Sequence, residues 1–399
     1  MSASGAAALR VLFVCHYYPP HRGGIENVVR QEAVGLAAHG VEVTVLTSGA
    51  QTETSVRDGV RVVRIAAWNG AERRAGVPFP LMSPRLFGAG LRWARWADVV
   101  HVHDCLYMTS WAALIAVVVT RTPLLVTQHV SMVRHPSAVV RGVEHAVYAV
   151  PGRLLLRRAR RVFTVNSSVA GFAVGLGARA GRTVHLPNGV DGVLFRPAAS
   201  AAERRRARRH FELPQGRPLV LFVGRLVSKK GFDLLLAARR AAPDPPYDLV
   251  FAGDGDLSAV TGRRGVHALG SLPPEELAEA YRACDVYALP STSEGFPLTV
   301  QEAMASGLPV LTSDDSGYTP YRLTDDLARL LPRRVGAWST ALTEMTSDAP
   351  RRAAMGLRAR RYAVEQFAWA GHVNSLLGHY GAVLENQATN SDTVRAVST

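Results

Sequence analysis

Two carboxylates, Glu294 and Glu302, lie eight residues apart in the run Glu-Gly-Phe-Pro-Leu-Thr-Val-Gln-Glu. Fully helical, that spacing is about 12 Å of axis at ~1.5 Å per residue. It suits the two ends of a nucleotide-sugar with the diphosphate between them. Gly295 frees the backbone to turn, and Pro297 suits the first position of a helix. The orphan amides at such a helix start favour an anion. Upstream, the loop Gly224-Arg225-Leu-Val-Ser-Lys-Lys230-Gly231 offers two cations, Arg225 and Lys230. Gly253 opens a second glycine-rich turn, Gly-Asp-Gly-Asp, and Gly23 and Gly24 sit together in a loop near the start of the chain. Paired glycines let a backbone approach a ligand closely. Loss of a nucleoside diphosphate requires negative charge to be stabilised as it builds. Fixed cations and amides do that without a metal ion. Two histidines complete the set: His129, just past an apolar strand run, and His16, just past the first one.

These groups need elements to hold them. Residues 10–15 read as a strand, and a helix with apolar spacing at Val28, Val29, Ala33 and Leu36 follows the Gly23-Gly24 loop. Residues 41–47 read as the next strand, which makes a βαβ unit. A hairpin-like stretch at 54–65 and a Pro- and Gly-rich loop at 66–90 come next. Strands at 98–103, 124–128 and 162–166 alternate with helices at 107–120 and 137–159, and Ser167-Ser168 reads as a helix cap. Trp93 and Trp96 suit core packing or an interfacial patch. The second half repeats this outline, with strands at 219–223, 248–252, 266–270, 285–289 and 308–313. Residues 323–331, 335–345, 350–367 and 369–384 read as helices, and residues 385–399 as a frayed tail. Parallel sheets bind ligands beyond the carboxyl ends of their strands. That edge carries Gly23, Gly24, His103 and His129 in one half, and Arg225, Lys230, Gly253, Glu294 and Pro297 in the other.

At 399 residues the chain exceeds one ordinary core, so two domains are expected. A hydrophobic content of 48% with 20% charged residues marks a globular protein. The formal net charge of +14 is compatible with anionic substrates or an anionic membrane surface. Arginine peaks at 153–161 and 204–209, without the interleaved aromatics of a nucleic-acid module. The three cysteines, Cys15, Cys105 and Cys284, lack metal or redox spacing and read as buried thiols in a reducing compartment. No apolar stretch suffices to span a bilayer, the longest being 111–119, and no secretion signal is legible at the start.

Five motifs, in order over about residues 10–313, resemble glycosyltransferase family 4. They are Gly23-Gly24-Ile-Glu, Asn188-Gly-Val-Asp191, Gly224-Arg225 with Lys230-Gly231, Gly253-Asp-Gly, and Glu294-Gly-Phe-Pro with Glu302-Ala-Met-Ala-Ser-Gly-Leu-Pro-Val. The resemblance implies an α/β GT-B fold, in which two Rossmann-like parallel-sheet domains face a cleft and a C-terminal helix crosses back to the first. The boundaries expected are 1–195 for an acceptor domain, 196–366 for a donor domain, 367–386 for the crossover helix and 387–399 for a tail. It implies a retaining transferase that moves a sugar from a UDP- or GDP-linked donor to a glycan, lipid-linked or small-molecule acceptor, with no cofactor and no metal ion. Arg225 and Lys230 would hold the diphosphate, with Gly224 and Gly253 lining the turn beside them. Glu294 would bond the donor sugar, assisted by amides around Gly295, Phe296, Pro297 and Leu298. Glu302 would take the ribose hydroxyls, Gly24 would approach the phosphates, and His129 would sit near the anomeric centre. Asp254-Gly-Asp256 mimics the metal motif of another transferase fold but reads as a turn. Ser313-Asp-Asp-Ser-Gly-Tyr-Thr-Pro replaces the family's usual glycine-rich loop. The resemblance also puts His16 where inverting GT-B enzymes often carry a general base, so inversion is one alternative; a GT-B sugar-nucleotide epimerase or phosphorylase, a Rossmann oxidoreductase and a non-catalytic basic nucleotide-binding protein are the others. The cysteines and the N-terminus lead to the expectation of a cytoplasmic protein, and the basic charge to that of peripheral contact at the inner face of an anionic membrane.

Overall fold

The computed structural model describes residues 8–21, 23–70, 80–132, 137–292 and 296–397. The chain divides into two compact units, Met1–Asn188 with Trp369–Thr399, and Gly189–Ala368. The division falls at Gly189 rather than near residue 195, because Val190 and Phe195 belong to the second unit's core. Val190 also donates its amide to the Phe367 carbonyl at 2.6 Å.

In the first unit, β1 (Arg10–Val14), β2 (Glu42–Gly49), β4 (Val60–Trp68), β6 (Val99–His103), β7 (Leu124–Gln128), β8 (Arg161–Thr164) and β9 (Thr183–His185) run parallel in one sheet. Their order is β4-β2-β1-β6-β7-β8-β9, and β3 (Glu53–Arg57) and β5 (Leu81–Met82) pair antiparallel with β4. Alternate side chains of β1 enter different cores: Leu12 and Val14 one, Val11 and Phe13 the other. That is the period-2 signature of a sheet buried on both faces. The helices are α1 (Gly24–Ala38), α2 (Arg85–Trp96), α3 (Met108–Thr120), α4 (Ala138–Val147), α5 (Arg153–Arg158) and α6 (Ser167–Leu176). The helical stretch expected at 137–159 is broken by a π-turn over Tyr148–Gly152, where Pro151 has no amide to donate. Asn166, not Ser167, caps α6: its backbone is extended and its side chain accepts the Val169 amide at 2.8 Å. Trp93 and Trp96 lie against the hydrophobic core beneath the Arg61 guanidinium, so they pack rather than form an interfacial patch.

The second unit opens with α7 (Ala201–His210) and carries a wholly parallel sheet. Its strands are β10 (Leu219–Val223), β11 (Asp248–Ala252), β12 (Val266–Gly270), β13 (Val286–Leu289), β14 (Val310–Ser313) and β15 (Ala328–Leu331), in the order β12-β11-β10-β13-β14-β15. Helices α8 (Phe232–Ala241), α9 (Pro274–Ala283), α10 (Leu298–Ala305), α11 (Val335–Ser347) and α12 (Ala349–Gln366) cover it. The helix expected at 323–331 is instead β15, which extends the sheet by pairing Val310 with Ala328 through Ser313 with Leu331. The last helix, α13 (Trp369–Val397), packs on the first unit through His372, Val373, Leu376, Tyr380 and Val383. It continues through the stretch expected to fray from residue 385. There Asn386 donates to the Ala382 carbonyl at 2.6 Å and Thr389 to the Glu385 carbonyl at 3.0 Å. Among the described residues no helix is long and apolar enough to cross a membrane.

Candidate functional site

In the second unit the glycine-rich turns meet at the carboxyl ends of β10 and β11. Gly224 has φ 151° and donates its amide to the Ala252 carbonyl at 2.9 Å. Gly253 has φ 139°, and a Cβ there would drive into the Gly224 carbonyl. Gly231 has φ 78°, and a Cβ there would strike the Pro290 carbonyl. These glycines allow two loops to lie against each other and against the end of β13. Leu226 then pairs with Gly255, donating its amide to the Asp254 carbonyl at 2.7 Å. Asp256 is spent on a cap, accepting the Ser258 amide at 3.0 Å, so Asp-Gly-Asp is a turn. On this scaffold Arg225 is exposed. Lys230 is half-buried with its chain beside Gly224, where an added Cβ would lie 3.8 Å from its Cδ.

The helix α10 starts at the carboxyl end of β13. Pro297 is its cap rather than its first residue: ψ is 141°, and its carbonyl accepts the Val300 amide at 3.0 Å. The amides of Leu298 and Thr299 precede the first intrahelical bonds, as at any helix start. Phe296 is buried, stacked on Tyr321 at 4.1 Å and flanked by Tyr318 and Phe367. Both tyrosines come from the segment after β14 that the sequence reading expects to diverge from the family. Tyr318 is fixed by a 2.7 Å bond to Thr312 Oγ1. The divergent segment is thus the wall behind Phe296. Glu302, on α10, is half-buried, and burial pushes its carboxyl up to about 7 despite the Tyr281 hydroxyl at 3.1 Å. Glu294 and Gly295 lie outside the described residues.

In the first unit the corresponding edge gathers Gly23, Gly24, His16 and His129. Glu26 folds back over Gly23, where a Cβ would collide with its carboxylate, and His21 Nδ1 lies 2.8 Å from Glu26 Oε1. Gly24 meets nothing within 4 Å, so the described packing leaves its missing side chain unexplained. His16 is buried face to face with Tyr107 at 3.6 Å. Burial, His21 and His129 hold its pKa down to about 3. His129 follows β7 and is likewise held at about 3 by burial and His372. Its amide donates to Asp104 Oδ1 at 2.9 Å, and its Nε2 lies 3.1 Å from His103 Nδ1. Asp104, with φ 63°, is pushed up to about 7 by burial. Both histidines are therefore held neutral; His129 is hydrogen-bonded, whereas His16 Nδ1 is buried without a hydrogen-bond partner among the described residues.

Behind His129 a buried polar chain runs inward. His103 Nε2 lies 3.6 Å from Glu32 Oε2, and Glu32 Oε1 lies 2.8 Å from His372 Nε2 on α13. His372 Nδ1 must donate to the Pro187 carbonyl, 2.8 Å away, so a proton is required between His372 and Glu32. Glu32, His101 and His103 also have potential metal-ligand atoms within 4.8 Å of one another. Both His101 nitrogens, however, are hydrogen-bonded, to Tyr380 at 2.6 Å and Thr127 at 2.8 Å. One carboxylate oxygen and one imidazole nitrogen fall short of a structural tetrahedral site.

Two family models match the chain: "Glycosyl transferase 4-like domain" over residues 23–189, and "Glycosyl transferases group 1" over residues 203–362. A D-inositol 3-phosphate glycosyltransferase of Mycolicibacterium smegmatis is 31% identical over 395 residues, covering 91% of this chain and 87% of the relative. One from Nocardia farcinica is 30% identical over 393 residues, covering 91% and 85%. The chain belongs to the group 1 glycosyltransferases. The fold of this glycosyltransferase is GT-B. Sucrose-phosphate synthase from Thermosynechococcus elongatus superposes with a TM-score of 0.74 at 21% identity, covering 95% of this chain and all (100%) of that one. Anabaena HepE in complex with UDP-glucose gives 0.73 at 18%, covering 94% and 100%.

For this glycosyltransferase the sequence reading missed Glu32, Asp104 and His372. A signal for Glu32 was available. It stands four residues after Val28 and four before Leu36, on the apolar face of α1. A carboxylate on that face needs a buried partner. The partner, His372, is 340 residues away and has no local signature.

Proposed function

We propose that this enzyme is a retaining, family 4-type glycosyltransferase that takes a sugar from a UDP- or GDP-linked donor without a metal ion. The observation that carries the reading is the Gly224–Gly231 loop, which presents an exposed guanidinium and a half-buried ammonium beside a glycine turn. Arg225 and Lys230 hold the diphosphate and neutralise the leaving group, the task a metal ion performs elsewhere. The amides at the start of α10 assist. Glu294 bonds the donor sugar, Glu302 takes the ribose hydroxyls, and Gly24 leaves room for phosphate oxygens. His129, neutral, donates or accepts a hydrogen bond near the anomeric centre. Retention proceeds by same-face attack, with the departing phosphate oxygen helping to deprotonate the acceptor. The low basicity of His16 and His129 favours this over inversion through a histidine base. The bound UDP-glucose of HepE favours uridine as the base, and the names of the curated relatives favour a phosphorylated polyol within the small-molecule acceptor class. Glycan and lipid-linked acceptors remain within the reading. The enzyme works in the cytoplasm, in peripheral contact with an anionic membrane.

A thermal-shift screen of nucleoside diphosphates, followed by donor turnover with and without acceptor in a chelator, tests the proposal. Donor consumption that needs acceptor, persists in the chelator and leaves the product's anomeric configuration like the donor's is expected. Inverted product, or activity abolished by the chelator and restored by a divalent cation, overturns it.

A further inference from the structure

The chain has two arginine runs, and among the described residues only the second has a carboxylate partner, shared by two of its arginines. In the second unit Arg204 and Arg208 both pair with Asp285 at 2.6 Å. Arg208 also donates to the carbonyls of Ala283, Pro214, Gln215 and Arg217. Those two arginines clamp a loop, whereas Arg205, Arg206 and Arg209 are exposed. The first unit's run is different. Arg153, Arg157, Arg158 and Arg160 are exposed, and none forms an ion pair among the described residues. Arg157, Arg158 and Arg160, with Arg121, Arg179 and Arg182, surround a groove at the amino end of β7, and no carboxylate among the described residues lines it. The crowding is felt at Arg182, whose guanidinium is destabilised by burial and by its arginine neighbours.

Aliphatic side chains stand exposed beside this charge. Ile115, Val118 and Val119 form an outward stripe on α3, 53%, 52% and 58% exposed, opposite the buried Ala112, Ala113, Ala116 and Val117. Leu154 on α5 is 54% exposed and Val150 is 61% exposed. Helices α3 and α5 pack together, and Arg158 reaches the Val117 carbonyl at 3.5 Å. Arginines and aliphatics are therefore exposed on and beside the same two packed helices, α3 and α5. Unpaired cations select an anionic partner. Exposed aliphatics select one with an apolar interior, and among the described residues the large exposed side chains of these helices include no aromatic ring on which bases could stack.

We propose that this face of the first unit docks the enzyme on an anionic phospholipid surface. The proposal rests on the peripheral-contact reading and supplies its surface. The arginines engage the headgroups while Ile115, Val118, Val119 and Leu154 enter the boundary with the acyl chains.

Flotation of the full-length enzyme with vesicles of phosphatidylcholine, with and without phosphatidylglycerol, tests it. The wild type should bind only the phosphatidylglycerol vesicles, less tightly as salt rises. Arg157→Ala/Arg160→Ala/Arg179→Ala should weaken binding by about tenfold or more and flatten its salt dependence. Val118→Ser/Val119→Ser should weaken binding with the salt dependence kept. Both variants should melt like the wild type and retain donor turnover. Wild-type binding that both variants retain overturns this surface while leaving peripheral contact standing elsewhere. No binding to phosphatidylglycerol vesicles, or tight salt-sensitive binding to nucleic acid instead, overturns the surface and the contact together. Neither outcome bears on sugar transfer.

Discussion

A half-buried carboxyl group pushed up to about 7, as at Glu302, is partly protonated in the empty enzyme at neutral pH. Ribose hydroxyls donate hydrogen bonds that only the ionised form accepts fully. Binding should therefore lower that pKa and release a proton. Affinity for the nucleoside diphosphate should rise as pH climbs from about 4.5 through about 7 and then level off. Glu302→Gln should remove this dependence and raise donor KM about tenfold with kcat changed far less. Titration calorimetry in buffers of different ionisation enthalpy reads the proton. An unchanged donor KM, or no proton released, contradicts the ribose assignment. At this scale the positions of the candidate residues were legible: Arg225, Gly253 and His129 lie just past strand ends and Lys230 in the loop after β10. Asp104 was not. Its identity suggests a solvated turn, and only burial makes its carboxyl unusual.

Helix α13 is fastened to α1 by a pair that sits in the core, Glu32 with His372 at 2.8 Å. Breaking a buried pair by removing one partner typically costs about 3–5 kcal/mol. Glu32→Gln and His372→Leu should each lower the first unit's melting temperature sharply. The double replacement Glu32→Leu/His372→Leu should lose less than the two singles summed, because no orphaned charge remains. Strictly additive losses in a double-mutant cycle would show that the two side chains do not interact. Elements were legible where periodicity was long, as in α1, and in buried strands such as β10. They were misread where local pattern is ambiguous. Residues 328–331 are too few to distinguish helix from strand, and their pairing with β14 decides it. The Asn166 cap and the extension of α13 to Val397 likewise turn on contacts that composition does not display.

For the whole chain, pH sensitivity follows from what is buried where. His16, His101 and His129 are held at about 3, and His103 well below its usual value, chiefly by burial. Their neutral forms are native, so their contribution is present above about 6.5 and is lost as pH falls, when the unfolded chain takes up protons. Asp104, raised to about 7, acts oppositely: its contribution is full below about 3.8 and is lost as pH rises through 7. Four histidines against one carboxyl leave net proton uptake on unfolding of the first unit in mild acid. Even one net proton costs about 1.4 kcal/mol per pH unit, or ~3–6 °C in a unit of this size. Calorimetry from pH 7 to 5 should show that transition moving down; a transition that stays level or rises contradicts the buried-neutral assignment. The two-unit α/β plan was readable from the repeated strand–loop–helix outline. The unit boundary was misplaced by a few residues because Val190 and Phe195 declare their side only by packing.

The central claim is that the second unit grips a nucleoside diphosphate through Arg225 and Lys230. Titration of UDP and GDP into the wild type and into Arg225→Ala/Lys230→Ala, in a chelator, tests it directly. The account predicts saturable wild-type binding to one of them, weakened about 100-fold or more in the variant, whose fold is unchanged by circular dichroism. Equal affinity in the two proteins, or no binding of either nucleotide to the wild type, would contradict it.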